Sequence, residues 1–285
     1  MRRIAGSARG AKVMRQAQSV FPQARHAVRT TAAVVLFACA GPGFAAPDWD
    51  IVGIRLGMTE QEARAALAAH SAQAQISGRT LKFMFNDGAK QQETPDFVAT
   101  IQAQIPGPPN TSDTESIKLE LSAPPLEQRV IGVRRVVTSY QNPPPLERVV
   151  EALTQKYGKP VDYRTLGMGV KSTFAGWTEA GKTACGLQPG KGISLPGASQ
   201  SPNDLKKFYQ WQQQKLAPAD LSKCSALLLA KMDYREGGSS VNTLVVEMND
   251  YGYLLQALEA TAKWLSETEA EARKARLNSG AAPKL

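Results

Sequence analysis

The residues that most resemble a chemical device are Gly176-Trp177-Thr178-Glu179-Ala180-Gly181-Lys182-Thr183, which fit G-x-x-x-x-G-K-[ST]. In a P-loop that spacing lets backbone amides and the lysine cradle phosphates. The chemistry requires a helix to begin at the Lys-Thr pair, so that its free amides and dipole face the anion. Here the chain continues Ala184-Cys185-Gly186-Leu187-Gln188-Pro189-Gly190, which cannot sustain a helix. Glu179–Lys182 is therefore expected to be a hairpin turn, and nucleotide chemistry is set aside.

Other catalytic devices lack their parts. A Ser-His-Asp or Cys-His arrangement downstream of residue 45 would have to use His70. That residue falls at the end of an Ala-rich helical stretch, where a solvent-facing or capping role accounts for it. Structural zinc favours several Cys and His ligands, and D-x-D-x-D-G loops for hard cations are missing. Paired-carboxylate hydrolysis stays open, because two acids distant in sequence can meet in space. The expectation is a non-enzymatic protein without metal or cofactor.

The first 45 residues explain the composition. Arg2, Arg3, Arg9, Lys12, Arg15, Arg25 and Arg29 precede an apolar run, Thr31–Ala40, and then Gly41-Pro42-Gly43-Phe44-Ala45-Ala46, with no acid before Asp48. Positive region, short apolar core and small residues are the order of a secretory signal peptide. A core of about ten residues is too short for a membrane span. Cleavage is expected after Ala45, and the length of the basic region leaves Met1 or Met14 as the start. Leu36-Phe37-Ala38-Cys39 loosely fits a lipobox, so Cys39 is a candidate lipidation site. The expected address is the periplasm, with an outer-membrane lipoprotein as the alternative and membrane contact only if Cys39 is lipidated.

Removing that leader changes the charge reading. Seven of the 34 basic residues and none of the 25 acids lie in it, which leaves 27 against 25. A net of +2 gives no electrostatic reason to expect nucleic acid or anionic lipid as a partner. Two cysteines remain, Cys185 and Cys224, an even number in an oxidising compartment. They are expected to pair, tying off an insertion at 186–223. The redox alternative lacks the C-x-x-C spacing.

The elements that would carry these residues follow from periodicity. Ile51–Leu56 is expected to be extended. Thr59 and Glu62 form a capping box for a helix over 59–70, with Ala63, Ala66 and Leu67 on one face. Alternation at Leu81, Phe83 and Phe85 ends at the turn Asn86-Asp87-Gly88. Phe97–Ala103, Ser116–Leu121 and Val130–Tyr140 continue the strands, as do Lys171–Thr178, Ser225–Tyr234 and Val241–Asn249. A second helix is expected from Leu146 to Tyr157, its stripe Leu146, Val149, Val150, Leu153 and Tyr157 facing the core and Gly158 ending it. A third begins near Tyr251, burying Leu254, Leu255, Leu258, Ala262 and Leu265. Within the insertion, Asn203–Leu216 suits a short helix whose Phe208 and Trp211 are candidate interaction residues.

Val130-Ile131-Gly132-Val133-Arg134 echoes Ile51-Val52-Gly53-Ile54-Arg55, which suggests two similar strand–helix–sheet units. The expected divisions are 1–45 signal peptide, 46–123 first unit, 124–266 second unit and 267–285 charged flexible tail.

At Gly57-Met58-Thr59-x-x-Glu62 and the small-residue helix after it, the chain resembles bacterial envelope modules. These are the small outer-membrane assembly lipoproteins and the β-lactamase-inhibitor-like fold; the chain also resembles uncharacterised exported proteobacterial proteins. The resemblance covers roughly fifteen residues and implies a helix on an antiparallel sheet, with protein binding or assembly support and no catalytic residues. The sequence thus predicts an α+β fold: antiparallel sheet, two or three packing helices. The first functional expectation is a binding or assembly-support protein whose partner is another envelope protein, of unspecified oligomeric state. A periplasmic small-ligand binder and a carboxylate-based hydrolase are the alternatives.

Overall fold

A computed structural model describes residues 48–279, apart from 140, 168, 184, 186, 189–191, 194–209, 211, 212, 214–219, 221, 222 and 236–238. The expected signal peptide, its cleavage site, Cys39, Phe208 and Trp211 lie outside the described residues. Ile51–Ile54 is a two-residue turn and not the extended stretch expected. Ile51 and Ile54 exchange both backbone hydrogen bonds, at 2.9 and 3.0 Å. Val52 and Gly53 take φ of 51° and 82°. The turn lets both isoleucines bury together, and Asp50 Oδ1 accepts from the Gly53 amide at 2.7 Å. The echoed segment at 130–134 is a strand, so the five-residue likeness is not a structural repeat.

Helix α1 (Glu60–His70) starts at the expected box: Thr59 accepts from the Glu62 amide, and the Glu62 carboxylate accepts from the Thr59 amide. Strand β1 (Gln75–Leu81), a small hairpin of β2 (Met84–Asn86) and β3 (Gln91–Glu93), then β4 (Phe97–Pro106), β5 (Thr114–Leu121) and β6 (Val130–Thr138) follow. Helix α2 (Leu146–Tyr157) precedes β7 (Asp162–Leu166), β8 (Val170–Thr178), the short pair β9 (Leu187–Gln188) and β10 (Gly192–Ile193), β11 (Ala226–Arg235) and β12 (Thr243–Asp250). Helix α3 (Tyr251–Ser279) closes the order.

Eight strands form one antiparallel sheet in the order β1-β4-β5-β6-β12-β11-β8-β7. The fold is α+β, and it contains a topological repeat. Each half is a helix followed by a four-strand meander, α1 with β1, β4, β5 and β6, then α2 with β7, β8, β11 and β12. The meanders meet where β6 pairs with β12. The first is completed by β6, so the similar halves divide within 139–145 and not at 123/124.

One core runs across both halves on the helix-covered face. Ala63 and Leu67 of α1 and Val149 and Leu153 of α2 belong to the same buried cluster as Ile101, Leu119, Val246 and Leu228. A bulge at Glu120/Leu121 turns Ile131 to the opposite face, where it joins Leu227, Leu254, Leu255 and Leu258 under α3. The Cys185–Cys224 disulfide belongs to that second cluster, with Cα atoms 5.3 Å apart.

Residues 267–279 are helical and not a frayed tail. Lys263–Glu267 and Glu269–Arg273 form i,i+4 pairs on the outer turns. Arg276 Nε donates to the Asp87 carbonyl at 3.0 Å, docking the end of α3 on the turn between β2 and β3. Among the described residues no helix is long and apolar enough to cross a membrane.

Candidate functional site

The end of the sheet formed by β7 presents exposed apolar side chains. Among the described residues β7 pairs only with β8 and stands at the end of the sheet order. Val161 is 67 % exposed, Tyr163 51 %, Leu166 41 % and Val170, at the start of β8, 61 %. Thr165 Oγ1 lies 2.9 Å from Thr173 Oγ1, and Arg164 sits 5.8 Å from the Phe174 ring centroid while pairing with Asp162 at 3.5 Å. These contacts hold the strand in register. The opposite edge differs: β1 exposes Gln75, Ser77, Gly78, Arg79 and Thr80 and keeps Ile76 and Leu81 partly covered. Polar side chains are the usual protection of a free edge, and exposed apolar ones invite pairing.

Sequence periodicity missed β7. Its signal was present, since Val161, Tyr163 and Thr165 alternate with Asp162 and Arg164. The strand is only five residues long and runs directly into Gly167, and Pro160 made the stretch look like a helix terminator.

A second feature lies on the helix-covered face. A cavity of ≈ 370 Å³ opens between α2, the Ile51–Val52 turn and the strands β6 and β12. Tyr157 forms one wall. Its hydroxyl donates to the Asp50 carbonyl at 2.8 Å, its ring lies 5.6 Å from that of Trp177, and burial pushes its phenol up to about 12. Lys156 Nζ meets Asp50 Oδ1 at 2.9 Å.

His70 is not the solvent-facing helix end expected. Its Nε2 lies 2.9 Å from Glu115 Oε1 on β5, and the same oxygen accepts from Arg135 Nε at 2.7 Å. Burial raises the Glu115 carboxyl, but the Arg135 hydrogen bond and charge, then those of His70, bring it below its ordinary value. The ionised Glu115 accepts from both neighbours, which ties α1 to β5 and β6.

The P-loop-like stretch is a strand and a turn. Gly176–Thr178 lie in β8, Lys182 N donates to the Glu179 carbonyl, and Thr183 bridges Cys224. Glu179 accepts from the Ala226 amide at 3.0 Å and pairs with Lys182 at 2.8 Å. Asp250 caps α3 by accepting from the Tyr253 amide at 2.9 Å. Burial pushes the Asp250 carboxyl up, and the Glu179 charge adds to this against the lowering effect of the Tyr253 amide. Both carboxylates are thus engaged in holding backbone. Among the described residues no group of three or more His, Cys, Asp or Glu side chains could hold a metal ion.

Cys185 and Cys224 form the expected disulfide, which fits an oxidising, non-cytoplasmic compartment. Comparison of the chain with protein-family models, curated proteins and solved structures finds no match.

Proposed function

We propose that this protein is an exported, non-enzymatic envelope protein that binds another envelope protein along the β7 edge. The observation that carries the reading is β7 at the end of the sheet, paired among the described residues only with β8, with Val161, Tyr163 and Leu166 exposed there. An extended segment laid there gains main-chain hydrogen bonds, and its alternate side chains meet the apolar groups on either face. The leader over residues 1–45, the disulfide and the likeness of Gly57–Glu62 to assembly modules support the setting. We place the protein in the periplasm after cleavage at Ala45, with lipidation of Cys39 as the route to an outer-membrane anchor.

The test replaces Tyr163 and Leu166 together by lysine and crosslinks intact cells. Both side chains are exposed, so the unfolding free energy is expected to stay within about 1 kcal/mol of the parent. A crosslinked complex formed by the parent should be lost from the variant. An identical complex in both would move the partner site off β7.

A further inference from the structure

The cleft beside α2 combines hydrocarbon walls with cations, a pairing that packing alone does not require. Val52, Val149, Leu153, Leu244 and Val246 supply apolar wall. Arg135 reaches it from β6, and Arg148 and Lys156 flank it from α2. Arg148, Ala152 and Lys156 stand at i, i+4 and i+8 on one row of the helix, and the small central residue leaves the mouth open between two long basic side chains. Their carboxylate partners are Glu115, Glu151 and Asp50. None of these acids is among the residues that line the cleft. The lining therefore offers positive hydrogen-bond donors over an apolar body.

We infer that this cleft binds an amphiphilic anion, a medium-length hydrocarbon carrying one carboxylate head. A volume of ≈ 370 Å³ lies within the range of about 300–1,000 Å³ typical of small-molecule sites. The hydrocarbon displaces water from the half-buried Val52, Tyr157 and Leu244, with the buried Val149, Leu153 and Val246 forming the floor behind them. The carboxylate accepts charge-assisted hydrogen bonds from Arg148 and Lys156, which a neutral head group of equal size forms only weakly. The site is separate from the β7 edge and does not depend on it.

Calorimetric titration of the purified, disulfide-bonded protein with octanoate and with 1-octanol tests this. Octanoate is expected to saturate one site with affinity about tenfold or more above that of octanol. Ala152→Phe fills the mouth from an exposed helix position and should weaken octanoate binding about tenfold. The double variant Arg148→Gln with Lys156→Gln should keep octanol binding and abolish the preference for the anion. Equal affinities for the two ligands, absence of saturable octanoate binding, or a preference that survives the double variant would overturn the assignment. Should Ala152→Phe fail to fold, the charge variant and the ligand pair still decide it.

Discussion

Thr59, immediately before α1, forms an isolated antiparallel bridge with Arg129, immediately before β6. Gly57 N donates to the Val130 carbonyl and Val130 N to the Met58 carbonyl, both at 2.8 Å, which ties the helix entrance to the last strand of its meander. The second half repeats the device with different residues. Pro145 bridges Ser240, and Val241 N donates to the Pro144 carbonyl at 2.8 Å. The two halves therefore share an architectural joint that their sequences do not share.

Only the first joint has a side-chain cap, because Pro145 makes no side-chain cap hydrogen bond at α2. Thr59→Ala removes the hydroxyl from both the Glu62 amide and the Glu62 carboxylate. The expected cost is about 1 kcal/mol, measured as a shift in urea midpoint at unchanged slope. Thr59→Ser should recover most of it.

The Glu115 network predicts an acid-sensitive contribution to stability. Its carboxyl titrates below the ordinary value of 4.5 in the folded protein, so its stabilisation is complete above that value and is lost as pH falls through the folded one. Glu115→Gln should lower stability at neutral pH by about 1–3 kcal/mol, since Arg135 and His70 lose their charged acceptor. The difference from the parent should shrink below pH 4.5. A difference that stays constant across that range would assign the cost to packing.

Asp250 has the opposite sign. A carboxyl raised by burial destabilises the fold once pH exceeds its ordinary value of 3.8, increasingly up to the folded value. Asparagine also caps helices well, so Asp250→Asn keeps the contact to the Tyr253 amide and removes the buried charge. Thermal denaturation is expected to show a higher midpoint at pH 7 than the parent, with the gain fading in acid. A midpoint lowered at both pH values would mean that the charge itself is needed, for instance to balance Lys182.

Much of this architecture was legible in the residues. The capping box at Thr59, the stripe from Leu146 to Tyr157 and the pairing of Cys185 with Cys224 all rest on local spacing or on parity, which the sequence displays directly. The α+β class followed from helices set among short alternating strands. The symmetry of the two halves was sought in the wrong place, because Ile51-Val52-Gly53-Ile54 and Val130-Ile131-Gly132-Val133 look alike while one is a turn and the other a strand. What repeats is the order of elements, and element order leaves no trace in five residues. The role of His70 was hidden for a related reason: Glu115 and Arg135 come to it from two neighbouring strands. Strand β7 carried an alternating pattern, but its position at a sheet edge depends on the pairing of every other strand.

The most direct test of the binding proposal places a photoreactive phenylalanine analogue at position 163 in living cells, with position 274 on the exposed outer part of α3 as the control. The account predicts one discrete adduct to an envelope protein from 163 and none from 274. It also predicts that Thr165→Pro, which spoils the strand edge, removes the adduct while the protein stays folded. No adduct from 163, or the same adduct from both positions and in the proline variant, would contradict it.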